Sequence, residues 1–121
     1  MYVQGFVIPV PEDKKDAYRE VAEKFWPIAR DYGALSQIEC WEADVKDGTT
    51  TDFRMAVKAV TGEKIVFSWM PWPDKAAADA AHEKMMADPR MAEQFGDGSQ
   101  MPFNGKRMII GGFDTLFAGE A

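Results

Sequence analysis

The chain has 121 residues, of which 46% are hydrophobic and 28% charged, and it carries a net charge of −6 with a pI near 4.7. This length is enough for one hydrophobic core, so we expect a single domain over residues 1–121. The acidic charge disfavours nucleic acid or an anionic membrane as a partner, because both require a surface rich in lysine and arginine.

The first half of the chain predicts two strands and one helix. Residues 2–10 are rich in Val, Ile, Phe and Tyr and stop at prolines, which is typical of a strand. Apolar residues recur at helical spacing over 18–32, and Gly33 stands where a helix-terminating glycine belongs. Pro27 is expected to kink or split this helix. Residues 35–45 predict a second strand, whose acidic side chains favour a sheet edge.

The middle of the chain predicts a strand that is covered on both sides. Residues 53–60 fit a short helix and an irregular strand extension equally well. Residues 64–72 alternate between two sets of side chains, and both sets are largely apolar. The two sets are Ile65, Phe67 and Trp69 on one face, and Val66, Ser68 and Met70 on the other.

The last third predicts a helix, a long loop and a final strand. Asp74 is a good N-cap for a helix that ends before Pro89. Residues 90–103 predict a long loop, with or without one helical turn, and residues 106–117 predict a fourth strand. Long loops in compact domains are often functional, and this one is apolar enough to dock. We expect it to pack over one end of a cavity through Met91, Phe95, Met101 and Phe103.

The element order predicts an α+β fold of the ferredoxin-like type, βαββαβ, with a four-stranded antiparallel sheet and helices on one face. The other sheet face also looks apolar, through residues such as Val66 and Met70. An exposed apolar face implies a partner. We therefore predict a homodimer whose two sheets meet face to face over more than about 1,200 Å².

Seven segments together resemble a family of small uncharacterised bacterial proteins, the YbaA-like family. They are YVQGFVIPVP, DAYREVAEKF, YGALSQIECW, FRMAVKA, IVFSWMPWP, MADPRM and MPFNGKRMIIGGF, in that order. The resemblance implies a dimeric α/β barrel, the architecture of small monooxygenases and related degradative proteins. It implies no activity and supplies no catalytic residues. His82 and Pro27 stand where the family pattern leads us to expect neither residue.

His82 is the first candidate for chemistry, because its unperturbed pKa lies near neutrality. It shares a helical stripe with Ala78, Ala81 and Met85, which would turn it toward the sheet, and Asp79 could orient its ring. The alternative is a partly exposed helix histidine without a role in a pocket.

Glu39 and Glu42 are the second candidates, as acid–base groups. They stand three residues apart on a predicted strand and so point to opposite faces. Whichever glutamate faces inward is the better candidate for proton transfer, and solvated edge charge is the alternative for both.

Three further side chains are candidates for ligand binding. Trp69 and Trp41 could line a flat aromatic pocket, although core or dimer interface is the alternative. Arg107 could hold a carboxylate or enolate oxygen, and so could three other cations, Arg54, Lys58 and Arg90, among which the sequence does not choose. The nearby pair Gly111–Gly112 predicts a bulge that distorts the sheet, or else a ligand or loop passing close to the backbone.

The sequence has no clustered ligands for a metal ion and no glycine-rich turn for a nucleotide, so we expect no metal and no cofactor. The single cysteine, Cys40, forms no internal disulfide, which favours the cytoplasm. Two functions remain open. One is a homodimeric protein that binds a small aromatic ligand. The other is a cofactor-independent enzyme, monooxygenase- or isomerase-like, that acts on an aromatic or polyketide-like compound.

Overall fold

The computed structural model describes residues 1–121 and shows one four-stranded antiparallel sheet with helices on one face. The strand order is β2-β3-β1-β4, which confirms the predicted ferredoxin-like arrangement. In chain order the elements are β1 (Tyr2–Pro11), α1 (Lys15–Asp31), β2 (Ile38–Trp41), α2 (Phe53–Ala56), β3 (Glu63–Trp72), α3 (Lys75–Ala87), α4 (Pro89–Phe95) and β4 (Ile109–Asp114), with one 3-10 turn at Glu12–Lys14.

Three aspartates begin the three shorter helices. Asp52 accepts a hydrogen bond from the backbone N–H of Met55 at 2.7 Å, so the ambiguous segment 53–60 starts as a helix. Asp74 caps α3 in the same way. Asp88 caps α4, a two-turn helix inside the segment predicted as a loop.

Helix α1 passes through Pro27 as one continuous element, so the alternative of a split helix is wrong. At 17 residues it is the longest helix, and neither α1 nor any other helix is long and apolar enough to cross a membrane. Strand β2 lies at a sheet edge, as predicted, but covers only Ile38–Trp41 instead of residues 35–45.

The helices cover the opposite face of the sheet from the one we expected. Val66 and Met70 lie under the helices with 1% and 5% of their surface exposed, whereas Phe67 lies on the uncovered face with 47% exposed. The predicted alternation along β3 is right. Its direction could not be read from the strand, because both sets of side chains are apolar.

The core lies between the helices and the covered sheet face, in two clusters. The larger cluster has eight buried residues, and three of them, Ala29, Ala78 and Ala81, belong to α1 and α3. Their small side chains let these two helices approach each other closely. The smaller cluster joins Tyr18 of α1 to Val66 and to two β1 residues, Ile8 and Val10.

The Gly111–Gly112 pair forms no bulge, because β4 pairs with β1 in an unbroken register. The Tyr2 ring lies over Gly112, where any side chain would clash with it. A Cβ atom on Gly111 would lie 2.9 Å from the Phe113 ring. The glycines therefore make room for two aromatic rings, one from each strand.

Candidate functional site

A cavity of about 490 Å³ lies between the covered sheet face and a roof formed by α1, α4 and the loop 96–108. Of its 20 lining residues, 14 are hydrophobic. Five are methionines, whose flexible thioethers adapt to ligands of different shape. The methionines are Met70, Met86, Met91, Met101 and Met108, and the phenylalanines are Phe6, Phe25, Phe95 and Phe103.

The segment predicted to cover a cavity does so. Met91, Phe95, Met101 and Phe103 are all partly buried and all line this space, which confirms the prediction. Phe95 packs against Phe25 of α1 with ring centroids 6.4 Å apart, and Phe103 meets the Tyr18 ring edge-on at 5.8 Å.

Asp88 anchors this roof to the end of α1. Its carboxylate accepts a hydrogen bond from the Tyr32 hydroxyl at 2.7 Å and two from the Arg90 guanidinium at 3.0 and 3.1 Å. Arg90 in turn bonds Asp31 at 2.8 Å. The Arg90 bonds, followed by the Tyr32 bond, hold the pKa of Asp88 far below its usual range, so the anchor stays charged near neutral pH.

Four polar side chains, Tyr18, Gln37, Glu39 and Ser68, meet in the cavity wall; we call them the polar cluster. The Tyr18 hydroxyl donates to the Glu39 carboxylate. Burial, reinforced by the charge and hydrogen bond of Glu39, raises the pKa of Tyr18, so its hydroxyl remains a donor.

Gln37 fixes the position of the Glu39 carboxylate. Its Nε2 donates to Glu39 Oε2 at 3.3 Å and to the Ala22 carbonyl at 3.2 Å. Both partners are acceptors, so the amide nitrogen must face them. This orientation leaves Gln37 Oε1 buried without a partner.

Ser68 is the one member of the cluster whose side chain makes no hydrogen bond within the protein. It lies directly opposite Glu39 of β2 and Phe6 of β1, and it faces the cavity with 3% of its surface exposed. No hydrogen bond joins its hydroxyl to another protein group. Because this hydroxyl faces the cavity and no protein group binds it, it is available to a ligand in this space.

A second cavity, of about 620 Å³, opens on the other side of the polar cluster. It lies between the start of α1 and β2, and it shares Tyr18, Gln37 and Glu39 with the first cavity. Lys15 lies over the Trp41 ring at its rim, with Nζ 5.4 Å from the ring centroid. The polar cluster is therefore reached from two sides.

Of the predicted site residues, Glu39 and Trp41 lie at these cavities. Both point to the covered sheet face. Trp69 does not, because it lies on the uncovered face beside Phe67, with ring centroids 5.6 Å apart. Its expected place in a ligand pocket is wrong, because the helices and both cavities lie on the other face of β3.

His82 is exposed on α3 and lines neither cavity, so its expected orientation toward the sheet is wrong. The buried stripe of α3 is Ala78, Ala81 and Met85, and His82 lies one position around the helix from Ala81. Asp79 pairs with Lys75 at 2.6 Å and not with the imidazole. The enzymatic hypothesis loses its histidine.

Glu42 and Arg107 belong to two ion pairs that we call the arginine clamps. Glu42 is bound by Arg54 and by the backbone N–H of Ile65, the latter at 2.9 Å. Arg107 binds both oxygens of Glu63, at 2.6 and 2.7 Å, and holds the pKa of that carboxyl below its usual range. Neither Glu42 nor Arg107 lines either of the two cavities, and the cation expected to hold a ligand holds Glu63 instead.

Sequence reasoning missed Tyr18, Gln37 and Ser68. Tyr18 belongs to the apolar helical stripe over 18–32, which by itself predicts core, and Ser68 stands on one face of the predicted strand 64–72. One signal was present: Ser68 is the single small polar residue among the apolar side chains of 65–72. In the whole structure no group of three His, Cys, Asp or Glu side chains is placed to hold a metal ion.

Sequence comparison with known proteins identifies the family of this chain. Residues 1–105 match a family described as "Protein of unknown function (DUF1428)". The chain belongs to this family. It is 59% identical over 115 residues to the uncharacterised protein YbaA of Escherichia coli K12, which covers 95% of this chain and 96% of that protein. The Shigella flexneri YbaA matches equally well, so the predicted YbaA-like membership is confirmed.

Solved structures share the fold at low sequence identity. A monooxygenase from the gene ActVA-Orf6 of Streptomyces coelicolor, in complex with nanaomycin D, superposes with a TM-score of 0.60 at 19% identity. That match covers 99% of this chain and 91% of the monooxygenase. A NIPSNAP domain protein from Burkholderia xenovorans superposes with a TM-score of 0.58 at 15% identity, and the match covers 99% of this chain and 100% of that protein. A dimeric ferredoxin-like protein from an uncultured marine organism superposes with a TM-score of 0.56 at 11% identity, and the match covers 99% of this chain and 97% of that protein.

Proposed function

We propose that this chain is a homodimeric cytoplasmic protein that binds a small aromatic molecule in the 490 Å³ cavity. The observation that carries the proposal is an apolar cavity lined by Met and Phe side chains, with the polar cluster in its wall. Ligand sites typically combine such an apolar lining with a few placed polar groups, in volumes of about 300–1,000 Å³. The single unpaired Cys40 supports a reducing compartment.

A second copy of the chain is the proposed occupant of the uncovered sheet face. This face and its margin expose several large apolar side chains close together, and such a patch on a protein surface usually marks an interaction site. They include Ile38, Phe53, Phe67, Ile109 and Phe113. The structural neighbour described as dimeric supports this assignment. Two copies packed sheet to sheet would bury the patch in an isologous interface.

Sedimentation velocity tests the dimer. We expect a dimer at micromolar concentration for the unchanged protein and a monomer for Phe67→Asp, because a carboxylate would be buried in the interface. Ala80→Asp places the same charge on exposed α3 and serves as the control. A monomeric unchanged protein contradicts the dimer proposal.

Fluorescence of N-phenyl-1-naphthylamine tests the ligand site. This neutral aromatic probe brightens in apolar surroundings, so we expect saturable enhancement with the unchanged protein. Ala22→Phe fills the space beside the polar cluster and should remove most of the enhancement. Ala17→Phe, exposed on the same helix, should not. Equal enhancement for both variants would place the probe elsewhere.

A second candidate is a cofactor-independent enzyme, isomerase- or monooxygenase-like, with Glu39 as the proton acceptor. The observation in its favour is that Glu39 meets only neutral partners, Tyr18 and Gln37, at the cavity wall. The fold shared with a protein described as a monooxygenase adds support. If Glu39 removes carbon-bound protons, the protein will accelerate deuterium exchange next to the carbonyl of 2-tetralone, and Glu39→Gln will abolish it. NMR spectra showing only the buffer rate contradict this candidate.

A further inference from the structure

Two members of the polar cluster, Glu39 and Ser68, offer open hydrogen-bonding positions to the cavity, whereas the unpaired Gln37 Oε1 is itself buried. The two residues are cross-strand neighbours, so their Cβ atoms lie about 4.5–5.5 Å apart. Each Glu39 oxygen already accepts one bond and retains acceptor capacity. The Ser68 hydroxyl is wholly free to donate.

The charge of the cluster excludes one class of ligand. Glu39 takes part in no ion pair, and the arginines near β3 are occupied by Glu42 and Glu63. A ligand carboxylate would therefore meet an uncompensated carboxylate in an apolar space. A full cation would lose its hydration against the 14 hydrophobic residues among the 20 that line the cavity, and only the carboxylates of Glu39 and Asp97 could compensate it.

We propose that the ligand places a neutral hydroxyl group, phenolic or alcoholic, between Glu39 and Ser68. This proposal rests on the proposed function of the cavity. A hydroxyl donates one hydrogen bond and accepts another, so it donates to the Glu39 carboxylate and accepts from Ser68. An ether accepts only, and it leaves Glu39 facing an apolar group.

A matched set of naphthalenes tests the proposal by isothermal titration calorimetry. We expect 2-naphthol to bind about tenfold more tightly than 2-methoxynaphthalene, since one charge-assisted hydrogen bond separates them. We expect 2-naphthoate and 2-(aminomethyl)naphthalene to bind more weakly than 2-naphthol. Equal or tighter binding of the ether, the acid or the amine overturns the hydroxyl proposal and leaves the cavity proposal standing. Binding of none of the four overturns both.

Ser68→Ala separates a ligand contact from a structural role. The hydroxyl has no protein partner, so the variant should unfold at the same or a higher urea concentration than the unchanged protein. It should nevertheless bind 2-naphthol about fivefold more weakly and 2-methoxynaphthalene almost as before. Ser99→Ala, exposed in the loop after α4, is the control and should change neither value. Unchanged 2-naphthol affinity in Ser68→Ala contradicts the proposal.

Glu39→Gln tests the charge requirement. The amide keeps the shape and can still accept from Tyr18, but it removes the negative charge. We expect the discrimination between 2-naphthol and 2-naphthoate to fall by at least tenfold, whereas Glu93→Gln on exposed α4 should preserve it. Full discrimination in Glu39→Gln contradicts the role of this carboxylate.

Discussion

Two regions of the molecule place glutamates on or beside β2 and β3, and they treat the charge in opposite ways. At the arginine clamps, Glu42 and Glu63 are bound by guanidinium groups and backbone N–H groups. At the polar cluster, Glu39 has only a phenol and an amide as partners, beside a cavity. Charges that are fully paired stabilise a fold, whereas a charge left open toward a cavity is available to a ligand.

We expect the largest loss of stability when one of the arginine clamps is removed. Arg107→Met leaves Glu63 nearly buried without its cation, and it also releases the bond from Arg107 to the Lys58 carbonyl. We expect the free energy of unfolding to fall by about 2 kcal/mol in urea denaturation. Arg19→Met removes an exposed helix pair and should change it by less than about 0.5 kcal/mol. Equal losses for both variants would mean that the Arg107 clamp does not stabilise the fold.

The same clamp should make stability depend on acid. Arg107 lowers the folded-state pKa of Glu63 below its unfolded value of about 4.3. The stabilisation is therefore complete above the unfolded pKa and is lost as the pH falls through the folded pKa. We expect the unfolding free energy to decline below about pH 4.5, and less steeply in Arg107→Met. Identical acid slopes in the two proteins would contradict this role of Glu63.

Isosteric substitutions at the two β2-associated glutamates compare the regions directly. Glu42→Gln should lower stability by about 1 kcal/mol, since Arg54 loses its charged partner, and it should leave 2-naphthol binding unchanged. Glu39→Gln should lower stability by no more than about 1 kcal/mol, because the amide can keep the Tyr18 bond but loses the bond from Gln37; unlike Glu42→Gln, it alters ligand preference. Urea titrations and calorimetry of both variants decide the matter. The reverse pattern would exchange the roles assigned to the two residues.

The smallest expected effect concerns the roof over the cavity. Tyr32→Phe removes one of the bonds that hold Asp88 at the junction of α3 and α4. We expect faster amide hydrogen exchange in residues 89–95, with exchange in β1 and β3 unchanged. Unaltered exchange in α4 would show that the remaining Arg90 bonds suffice to anchor the roof.

The sequence was sufficient for the order of the four strands and the two long helices, for the edge position of β2 and for the docking of the segment 90–103. These follow from periodicity, capping residues and apolar content, which are local properties. It could not decide which face of β3 the helices cover, because Phe67 and Met70 are both apolar. The same ambiguity explains why Trp69 was wrongly expected to line a pocket under the helices.

The chemistry of the candidate site was only partly accessible from sequence. Glu39 and Glu42 were equivalent as letters, and only the three-dimensional positions of Arg54 and Tyr18 distinguish them. His82 was singled out for its pKa, but a turn of 100° per residue on α3 separates it from the buried Ala81. Polar clusters form between distant segments, so local spacing did not reveal that Tyr18, Glu39 and Ser68 meet.

The central claim is that the cavity beside the polar cluster is a ligand site, and methionine-methyl NMR tests it most directly. Five of the eight methionines line the cavity, whereas Met1 and Met55 are exposed elsewhere. Titration of methyl-labelled protein with 2-naphthol should shift the signals of Met70, Met86, Met91, Met101 and Met108 saturably and leave Met1 and Met55 unmoved. Shifts confined to Met1 and Met55, or no saturable shift at all, would contradict the account.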